Sequence, residues 1–250
     1  MLVEFCLPIF NEEKILKENV RHFYDFCSAQ NYGFEWRIVL LNNGSADGSE
    51  YLAREITREF PQKIFLENSA ARGKGGALKN YFLKSQADVL AYMDIDLAVS
   101  LDNLSELIGP VMAGKNDLVF GSRLLSESRV ERSCARSLSS MFYNFLSRLI
   151  LGLNYRDLQC GFKAISASAV KNIFPLISDD HWFFDTELIA LADHFKFKLK
   201  EIPIDWSENR YEKRKSKINL ISDGLIFLFD LIKLRTRLKR IGAYGADKQI

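Results

Sequence analysis

The sequence predicts an α/β protein in which helices flank a mostly parallel sheet. Short apolar runs of strand length alternate with segments of helical period through the first half of the chain, and this β-α repetition is typical of parallel sheets. A length of 250 residues and a hydrophobic fraction of 48% suit one globular domain with a large core, followed by a tail.

Each element follows from its local pattern. In the first half, short apolar runs predict strands at residues 2–7, 36–41, 64–66, 89–93 and 118–120. Apolar residues at helical spacing predict helices at residues 12–30, 47–60, 75–85 and 101–113. The less regular second half predicts helices at 137–153 and 184–195, strands at 162–166 and 198–204, and a last apolar-rich helix at about 219–234.

Composition excludes several classes of protein. A net charge of +2 is too small to mark the whole chain as a nucleic-acid binder, although its C-terminal end is strongly basic. The four cysteines form no C-x-x-C pair and are expected to be free thiols in a reducing cytosol, and the three histidines lack the companions of a zinc site. The chain opens on a strand-like run without the pattern of a signal peptide, and no segment reaches the ~20 apolar residues of a membrane span.

Two carboxylates, Asp94 and Asp96, end the fourth predicted strand with i, i+2 spacing. They face the same way if the extended geometry lasts to Asp96. Their hard oxygens suit Mg²⁺ or Mn²⁺, which would share its remaining positions with water and a diphosphate. An isolated D-x-D is more often a solvated strand end, so the site needs support from the rest of the chain.

Further unusual clusters follow other predicted strands, at the edge where parallel sheets bind their ligands. The loop at residues 42–49 offers amides, a hydroxyl and an acid to a base and ribose, and it also suits a turn in which Asp47 caps the next helix; both can hold at once. Residues 72–77 place glycines, Arg72 and Lys74 before a helix, where backbone N–H groups favour an anion. This segment matches neither a P-loop nor a dinucleotide fingerprint.

Two basic segments precede apolar helices, one at residues 123–136 and one at 210–217. Their arginine forks and lysines would hold a second phosphate beside the crevice, or they form a solubilising surface. The apolar stretch at residues 220–229, followed by further cations, could lie among lipid headgroups or pack on the core, and both readings stay open.

Together these motifs resemble the inverting GT-A glycosyltransferases, and within them the dolichyl-phosphate glucose and mannose synthases. The resemblance runs from residue 2 to about residue 234 and includes the stretches at 8–13, 44–48, 72–77, 94–96 and 121–123. The stretches at 157–163, 182–188 and 202–206 look most like dolichyl-phosphate β-glucosyltransferases. This resemblance implies a Rossmann-like GT-A domain at residues 1–206, then a basic loop, a basic amphipathic helix and a tail at 207–250.

The resemblance also implies roles for individual residues. The metal ligands would be Asp94 and Asp96. The catalytic residues would be Asp96, Arg123, Arg136 and Arg210. The residues that bind the nucleotide and phosphates would be Pro8, Phe10, Glu12, Asn42, Asn43, Ser45, Arg72, Lys74, Asp94 and Ser140. The chain departs from the family where Asn42 and Asn43 replace a usual pair of aspartates, and where Ala98 offers no side-chain ligand.

The expected function is inverting transfer of a hexose from UDP-glucose or GDP-mannose to a polyprenyl or dolichyl monophosphate. A phosphate monoester is already anionic at neutral pH, so no general base is needed. The protein is expected in the cytoplasm, peripheral on the cytoplasmic membrane face, with no nucleic-acid partner. Three alternatives stay open: transfer to a sugar or protein hydroxyl with Asp185 or Glu187 as base, a non-catalytic sugar-nucleotide binding module, and a nucleotidyltransferase.

Overall fold

The computed structural model describes residues 1–69, 73–131, 134–207 and 222–246. Its strands are β1 (Leu2–Ile9), β2 (Glu35–Asn42), β3 (Ile64–Asn68), β4 (Val89–Met93), β5 (Leu118–Ser122), β6 (Arg129–Glu131), β7 (Phe162–Ser166), β8 (Leu199–Pro203) and β9 (Asp205–Ser207). Its helices are α1 (Glu13–Ala29), α2 (Ser49–Glu59), α3 (Lys74–Phe82), α4 (Leu104–Met112), α5 (Cys134–Leu151), α6 (Ala167–Ile173), α7 (Phe184–His194) and α8 (Ser222–Ala246). Two short 3₁₀ turns lie at Leu101–Asn103 and Phe174–Leu176.

The central sheet is mostly parallel, which confirms the predicted fold class. Its order is β3-β2-β1-β4-β7-β5-β8, and β7 alone among these strands runs antiparallel to its neighbours β4 and β5. Strands β6 and β9 pair separately as a small parallel ribbon. The sequence did not predict β6, β9 or α6, because such short elements depend on a distant partner more than on their own pattern.

Two apolar clusters cover the two faces of the sheet. Along β4, Ala91 and Met93 enter one cluster, whereas Leu90 and Tyr92 enter the other. This alternation is the period-two pattern of a strand buried on both faces. The first cluster packs beneath α1, α2 and α4, and the second packs beneath α3, α6, α7 and α8. Helices therefore flank the sheet on both sides, as the β-α repetition predicts.

The C-terminal helix α8 continues beyond the predicted end at residue 234, because the lysines and arginines that follow are good helix formers. It packs Leu231, Leu234 and Leu238 into the second apolar cluster. In this part of the helix the core-packing alternative therefore holds for one face. Most of the predicted basic loop, at residues 208–217, and the start of the predicted helix lie outside the described residues.

Three of the cysteines, Cys6, Cys27 and Cys160, are free and buried. The side chain of Cys134 lies outside the described part of the chain. Among the described residues, no helix is both long enough and apolar enough to cross a bilayer.

The strand order determines where a ligand can bind. The chain moves outward from β1 to β2 and β3, and then returns to place β4 on the other side of β1. Such a reversal opens a crevice at the carboxyl ends of the strands. Because β7 is antiparallel, its first residues also reach this edge, where Phe162 pairs with Met93. The loops after β1, β2 and β4 and the residues before β7 therefore meet at one place.

Candidate active site

The two carboxylates of the D-x-D lie in a tight turn that follows β4. The Leu97 N–H donates to the Asp94 carbonyl at 3.1 Å, and Leu97 has a φ of 49°. The condition that the strand stays extended to Asp96 is therefore not met, and strand alternation does not orient the pair. A non-glycine residue in the left-handed region is strained, and such strain is held where surrounding contacts enforce it.

Those contacts come from both sides of the turn. Ile95, between the two acids, is 2% exposed and enters the first apolar cluster. The buried Asn19 on α1 donates from Nδ2 to the Ile95 carbonyl at 2.8 Å. The turn is also closed by the Ala98 N–H, which donates to Asp96 Oδ1 at 3.2 Å. A buried residue and three hydrogen bonds thus hold both acids at the strand end.

Lys74, the first residue of α3, is the cation beside this turn. Its Nζ donates to Asp94 Oδ1 at 2.8 Å and lies 3.6 Å from Asp185 Oδ2. Burial alone would lower the pKa of Lys74, but the charges of Asp185 and Asp94 outweigh it and raise the pKa above its usual range. Lys74 is therefore a permanent cation that balances part of the negative charge of Asp94.

Asp185, at the start of α7, is the buried carboxylate of the same network of charges. It accepts Lys163 Nζ at 2.6 Å and the Tyr92 hydroxyl at 2.5 Å, and it is 2% exposed. Burial would raise the pKa of Asp185, but Lys163 and Lys74 outweigh it and hold the pKa below its usual range. A buried carboxylate between two ammonium groups stays ionised and out of contact with solvent.

This burial bears on the two acids that were candidate general bases. Glu187 is 1% exposed, and its carboxylate accepts the Ser178 N–H and hydroxyl, each at 3.0 Å, and the Asp179 N–H at 2.8 Å. Asp185 is as deeply buried and is occupied by Lys163 and Tyr92. A general base must reach the proton that it removes. Neither side chain meets this requirement in this arrangement.

The glycines at the start of α3 serve close packing. A Cβ built on Gly73, whose φ is 101°, would lie 2.0 Å from the Asp180 carbonyl oxygen, and one on Gly75 would lie 2.6 Å from the Cβ of Phe184. The Gly76 N–H donates to the same Asp180 carbonyl at 2.9 Å. One amide of the predicted anion site is therefore already used by the protein, and Arg72 lies outside the described residues.

The loop after β2 is bound to the loop after β1. The Asn11 N–H donates to Ser45 Oγ at 3.0 Å, and Asn11 Oδ1 accepts the Ala46 N–H at 2.8 Å. Glu12 joins the same contact, because its N–H donates to Ser49 Oγ at 2.8 Å. Asn11 has a φ of 55°, a second left-handed residue at this edge. The two loops thus form one rigid border of the crevice.

The two asparagines that replace the usual aspartates have different surroundings. Asn42 donates from Nδ2 to Asn68 Oδ1 at 2.9 Å and accepts the Ser45 N–H at 3.2 Å, so it holds the loop together. Asn43 is 9% exposed, and its Oδ1 has no hydrogen-bond partner among the described residues. Asp47 accepts the Ser49 N–H at 3.0 Å and the Glu13 N–H at 3.2 Å, so it closes a turn as predicted, but the N-cap residue of α2 is Gly48 rather than Asp47.

Arg123, after β5, is committed to a buried partner. Its Nε donates to Asp157 Oδ2 at 2.7 Å and its Nη2 donates to Asp157 Oδ1 at 2.9 Å, while the Arg123 side chain is 16% exposed. Burial lowers the pKa of Arg123, but the charge of Asp157 and its hydrogen bonds with the guanidinium together hold the pKa above its usual range, so the guanidinium stays charged. Two of the five guanidinium N–H donors are used within the protein, which leaves the two on Nη1 and one on Nη2 that could reach a phosphate.

The structure brings many, but not all, of the predicted site residues to this edge of the sheet. Phe10 is 43% exposed beyond β1, and Pro8 and Glu12 flank it within the same stretch of chain. Ser140 lies on α5, where its carbonyl accepts Asn144 Nδ2 at 2.9 Å. Arg210 and the side chain of Arg136 lie outside the described residues, so their roles stay predictions.

Sequence reasoning missed several residues that build the site. Lys163 is fully buried in β7, Asp157 is fully buried beneath Arg123, and Gly161 faces the Asp94 carboxylate. A lysine inside an otherwise apolar strand is a signal in itself, because a buried lysine requires an acidic partner. The partner of Lys163 is Asp185, and the sequence did not predict this pair because the two residues lie far apart in the chain.

The chemistry of the acids fits a divalent cation. The Asp94 side chain is 46% exposed, and its Oδ2 takes no hydrogen bond from a described residue. A Cβ at Gly161 would lie 2.5 Å from that Oδ2, so the glycine keeps this side of the carboxylate open. The described residues contain no cluster of three or more acidic, cysteine or histidine ligands. A cation at Asp94 and Asp96 would thus take its other ligands from water and a diphosphate, as Mg²⁺ commonly does.

Comparison with known proteins agrees with this geometry. The profile of Glycosyl transferase family 2 matches residues 4–174. Glycosyltransferase AglD of Haloferax volcanii is 31% identical over 223 residues, which are 89% of this chain but 35% of AglD. Dolichyl-phosphate beta-glucosyltransferase of Saccharomyces cerevisiae is 29% identical over 269 residues, covering 100% of this chain and 78% of the yeast protein.

Solved structures share the fold. Glucosyl-3-phosphoglycerate synthase from Mycobacterium tuberculosis, in complex with Mn²⁺, UDP-glucose and phosphoglyceric acid, superposes with a TM-score of 0.63 at 16% identity. The match covers 94% of this chain and 79% of that protein. With the sheet order, the crevice at the carboxyl ends of its strands and the family profile all in agreement, the chain has the GT-A fold and belongs to Glycosyl transferase family 2.

Proposed function

We propose that the protein transfers glucose from UDP-glucose to a polyprenyl or dolichyl monophosphate, with inversion at the anomeric carbon. The observation that carries this proposal is the contrast between two pairs of acids at the crevice. Asp94 and Asp96 are both partly exposed, whereas the two predicted bases, Asp185 and Glu187, are buried and occupied by donors of the protein. A hydroxyl acceptor needs a base, whereas an anionic phosphate does not. The names of the yeast and human relatives, dolichyl-phosphate beta-glucosyltransferase, support the same acceptor and sugar.

The described residues would divide the work between donor and acceptor. When bound at Asp94 and Asp96, Mg²⁺ or Mn²⁺ would offset the negative charge of the departing diphosphate. Lys74 orients Asp94 and adds a fixed positive charge beside it. The joined loops after β1 and β2 would present Phe10 and Asn43 to the nucleotide. Both reacting groups would then be held in line by a rigid border, which lowers the entropic part of the barrier.

The acceptor side rests on predictions from the resemblance. Arg136, Arg210 and Ser140 would approach the lipid phosphate, and Arg123 would contribute its remaining Nη1 donors. Because such an acceptor lies in a bilayer, the protein would work as a peripheral protein on the cytoplasmic face of a membrane. GDP-mannose is the alternative donor, and a hydroxyl of a sugar or protein is the alternative acceptor.

A direct assay tests the reaction. Purified protein is incubated with Mg²⁺ or Mn²⁺, with UDP-glucose or GDP-mannose, and with a short polyprenyl phosphate, and the products are identified by mass. The proposal expects a glucosyl lipid from UDP-glucose. Transfer to soluble glycosides or peptides without any lipid product would select the hydroxyl alternative. Metal-dependent nucleotide binding with no product in any acceptor screen would instead indicate a binding module.

Replacement of one predicted metal ligand sharpens the test. Asp96→Asn should lower turnover by about 10²–10³-fold at saturating donor, because the charge that holds the leaving group is lost. Asp102→Asn, a change of an exposed acid outside the crevice, is the matched control and should leave turnover unchanged. Near-normal turnover of Asp96→Asn would refute the role assigned to the carboxylate pair.

A further inference from the structure

Helix α5 exposes a continuous apolar face. Over residues 137–151, every side chain that is more than half exposed is large and apolar, and their exposed fractions run from 54% to 68%. The five residues recur at helical spacing along one side of the helix. We call this set the α5 apolar face: Leu138, Met141, Phe142, Phe145 and Leu149.

Two polar residues of the same helix are buried on the opposite side. Asn144 is 2% exposed, and its Oδ1 accepts the Leu158 N–H at 2.8 Å. Ser147 is fully buried, and its hydroxyl donates to the Tyr143 carbonyl at 2.8 Å. The Tyr143 hydroxyl lies 2.9 Å from Thr186 Oγ1 on α7. The contacts of Asn144 and Tyr143 with other segments of the chain fix the rotation of α5, so its apolar face is held outward by the fold.

Helix α8 extends this surface and adds positive charge. It packs beside α5 and exposes Phe229 and Ile232, by 68% and 53%. Arg235 donates from Nη1 to the Ile150 carbonyl, which places the cations of α8 next to the C-terminal end of α5. The exposed cations of this helix are Lys233, Arg235, Lys239 and Arg240.

Seven large apolar side chains on two adjacent helices form a patch that a monomer in water rarely keeps exposed. Residues 137–151 and 227–241 contain a single acid, the half-buried Asp230, so a second copy docked through the same face would offer the α8 cations almost no negative charge. An anionic bilayer instead accepts the apolar face at the acyl boundary and the cations at its headgroups. Charge complementarity therefore favours an anionic lipid surface over a second copy of the chain as the partner of this patch.

We infer that the α5 apolar face, with Phe229, Ile232 and the cations of α8, docks the protein on the surface of an anionic lipid bilayer without crossing it. This inference rests on the proposed function for its purpose, because a lipid-borne acceptor must be met at the membrane. It places α5, which carries Ser140, against the lipid, beside Phe229 at the end of the apolar stretch at residues 220–229 that the sequence offered for membrane contact.

Vesicle flotation tests the docking face. Wild-type protein should float with vesicles of phosphatidylcholine and phosphatidylserine and bind much less to phosphatidylcholine alone. Phe142→Ser with Phe145→Ser should lower binding to the anionic vesicles at least tenfold, whereas Tyr51→Ser, an exposed aromatic residue on α2, should not. Lys239→Gln with Arg240→Gln should weaken binding to anionic vesicles only, by about fivefold for each cation removed.

Activity on a short, water-soluble polyprenyl phosphate separates this inference from the proposed function. The Phe142→Ser, Phe145→Ser variant should keep wild-type turnover on that acceptor, which also shows that it is folded. If wild-type protein makes the glycolipid but does not float, the docking face is wrong and the function stands. If it floats without transferring sugar, the face stands and the function falls. The inference would be wrong if the protein did not bind vesicles but self-associated in sedimentation experiments, and if the same substitutions abolished that self-association. The α5 apolar face would then bind a second copy of the chain instead of lipid.

Discussion

At the scale of single residues, the site depends on how little space separates its charges. Asp94 faces Lys74 on one side and the Cα of Gly161 on the other, and Asp185 shares its charge between Lys74 and Lys163. The position of each charged group therefore depends on a neighbouring group that other contacts hold in place. The addition of one methyl group at Gly161 can therefore move the Asp94 carboxylate without unfolding the protein.

Gly161→Ala is the sharpest such change. Its Cβ would lie 2.5 Å from Asp94 Oδ2 and 2.6 Å from Lys74 Nζ, both ends of movable side chains. We expect turnover to fall at least tenfold because the metal ligand and its cation are displaced, while the free energy of unfolding changes by less than about 1.5 kcal/mol. Steady-state kinetics and urea unfolding measure the two quantities separately.

Gly109→Ala is the matched control, because no atom lies within 4 Å of the Cβ that it would add. This change in α4 should leave turnover unaltered and should stabilise the helix slightly. Equal turnover of the Gly161→Ala variant and the wild type would show that the Asp94 carboxylate does not need its present position.

At the scale of elements, α8 is joined to the crevice through α7. Arg237 donates from Nη2 to Glu187 and from Nη1 to the Ser178 hydroxyl. Glu187 in turn holds the backbone of Ser178 and Asp179, at the start of the segment whose Asp180 carbonyl covers the first turn of α3. The last helix of the chain thus supports the segment that packs on the helix carrying Lys74.

Arg237→Met should loosen that segment. Glu187 would remain buried and keep its backbone donors but lose its cation, so we expect a local cost of about 1–3 kcal/mol. Amide hydrogen exchange should quicken at residues 178–184, and the KM for the nucleotide sugar should rise several-fold with a smaller change in kcat. The soluble acceptor is used so that membrane binding does not contribute.

Arg240→Met, on the same helix but exposed, is the control and should alter neither exchange nor KM with that acceptor. Unchanged exchange at residues 178–184 in Arg237→Met would show that α8 does not support this segment.

At the scale of the whole molecule, buried ion pairs make stability depend on pH. Burial raises the pKa of Asp157, but Arg123 outweighs it by charge and hydrogen bonds, so the pKa lies below its usual range, as does that of Asp185. A carboxyl whose pKa is depressed on folding stabilises the protein above its unfolded pKa of ~3.9. That stability is lost as the pH falls below this value towards the folded pKa.

The free energy of unfolding should therefore be level from neutral pH to about pH 5 and should then fall steeply in acid. In the double variant Arg123→Met, Asp157→Leu, the slope below pH 4 should be smaller by up to about 1.4 kcal/mol per pH unit, the effect of one proton. Urea unfolding between pH 2.5 and pH 7 measures the slope. The variant Lys163→Met, Asp185→Leu provides an independent second measure, and slopes equal to wild type in both variants would contradict the assignment.

The sequence by itself determined those features that depend on local pattern. Apolar periodicity located β1 to β5 and the helices between them, and parallel connections placed the loops after β1, β2 and β4 at one edge. Both acids of the D-x-D were therefore predicted at the right place, although their turn was not. Hydrophobic spacing acts over a few residues, so it is readable without knowledge of the fold.

Only the tertiary structure decided which distant residues meet. Contacts between segments far apart in the chain set the direction of β7 and bring Lys163 to Asp185 and Arg123 to Asp157. Such contacts also decide that the apolar side of α5 faces outward. A helix carries polar and apolar faces whatever its surroundings, but which face turns inward depends on the partners that satisfy its polar groups. For α5 those partners are the Leu158 N–H and Thr186, and they leave its phenylalanines facing outward.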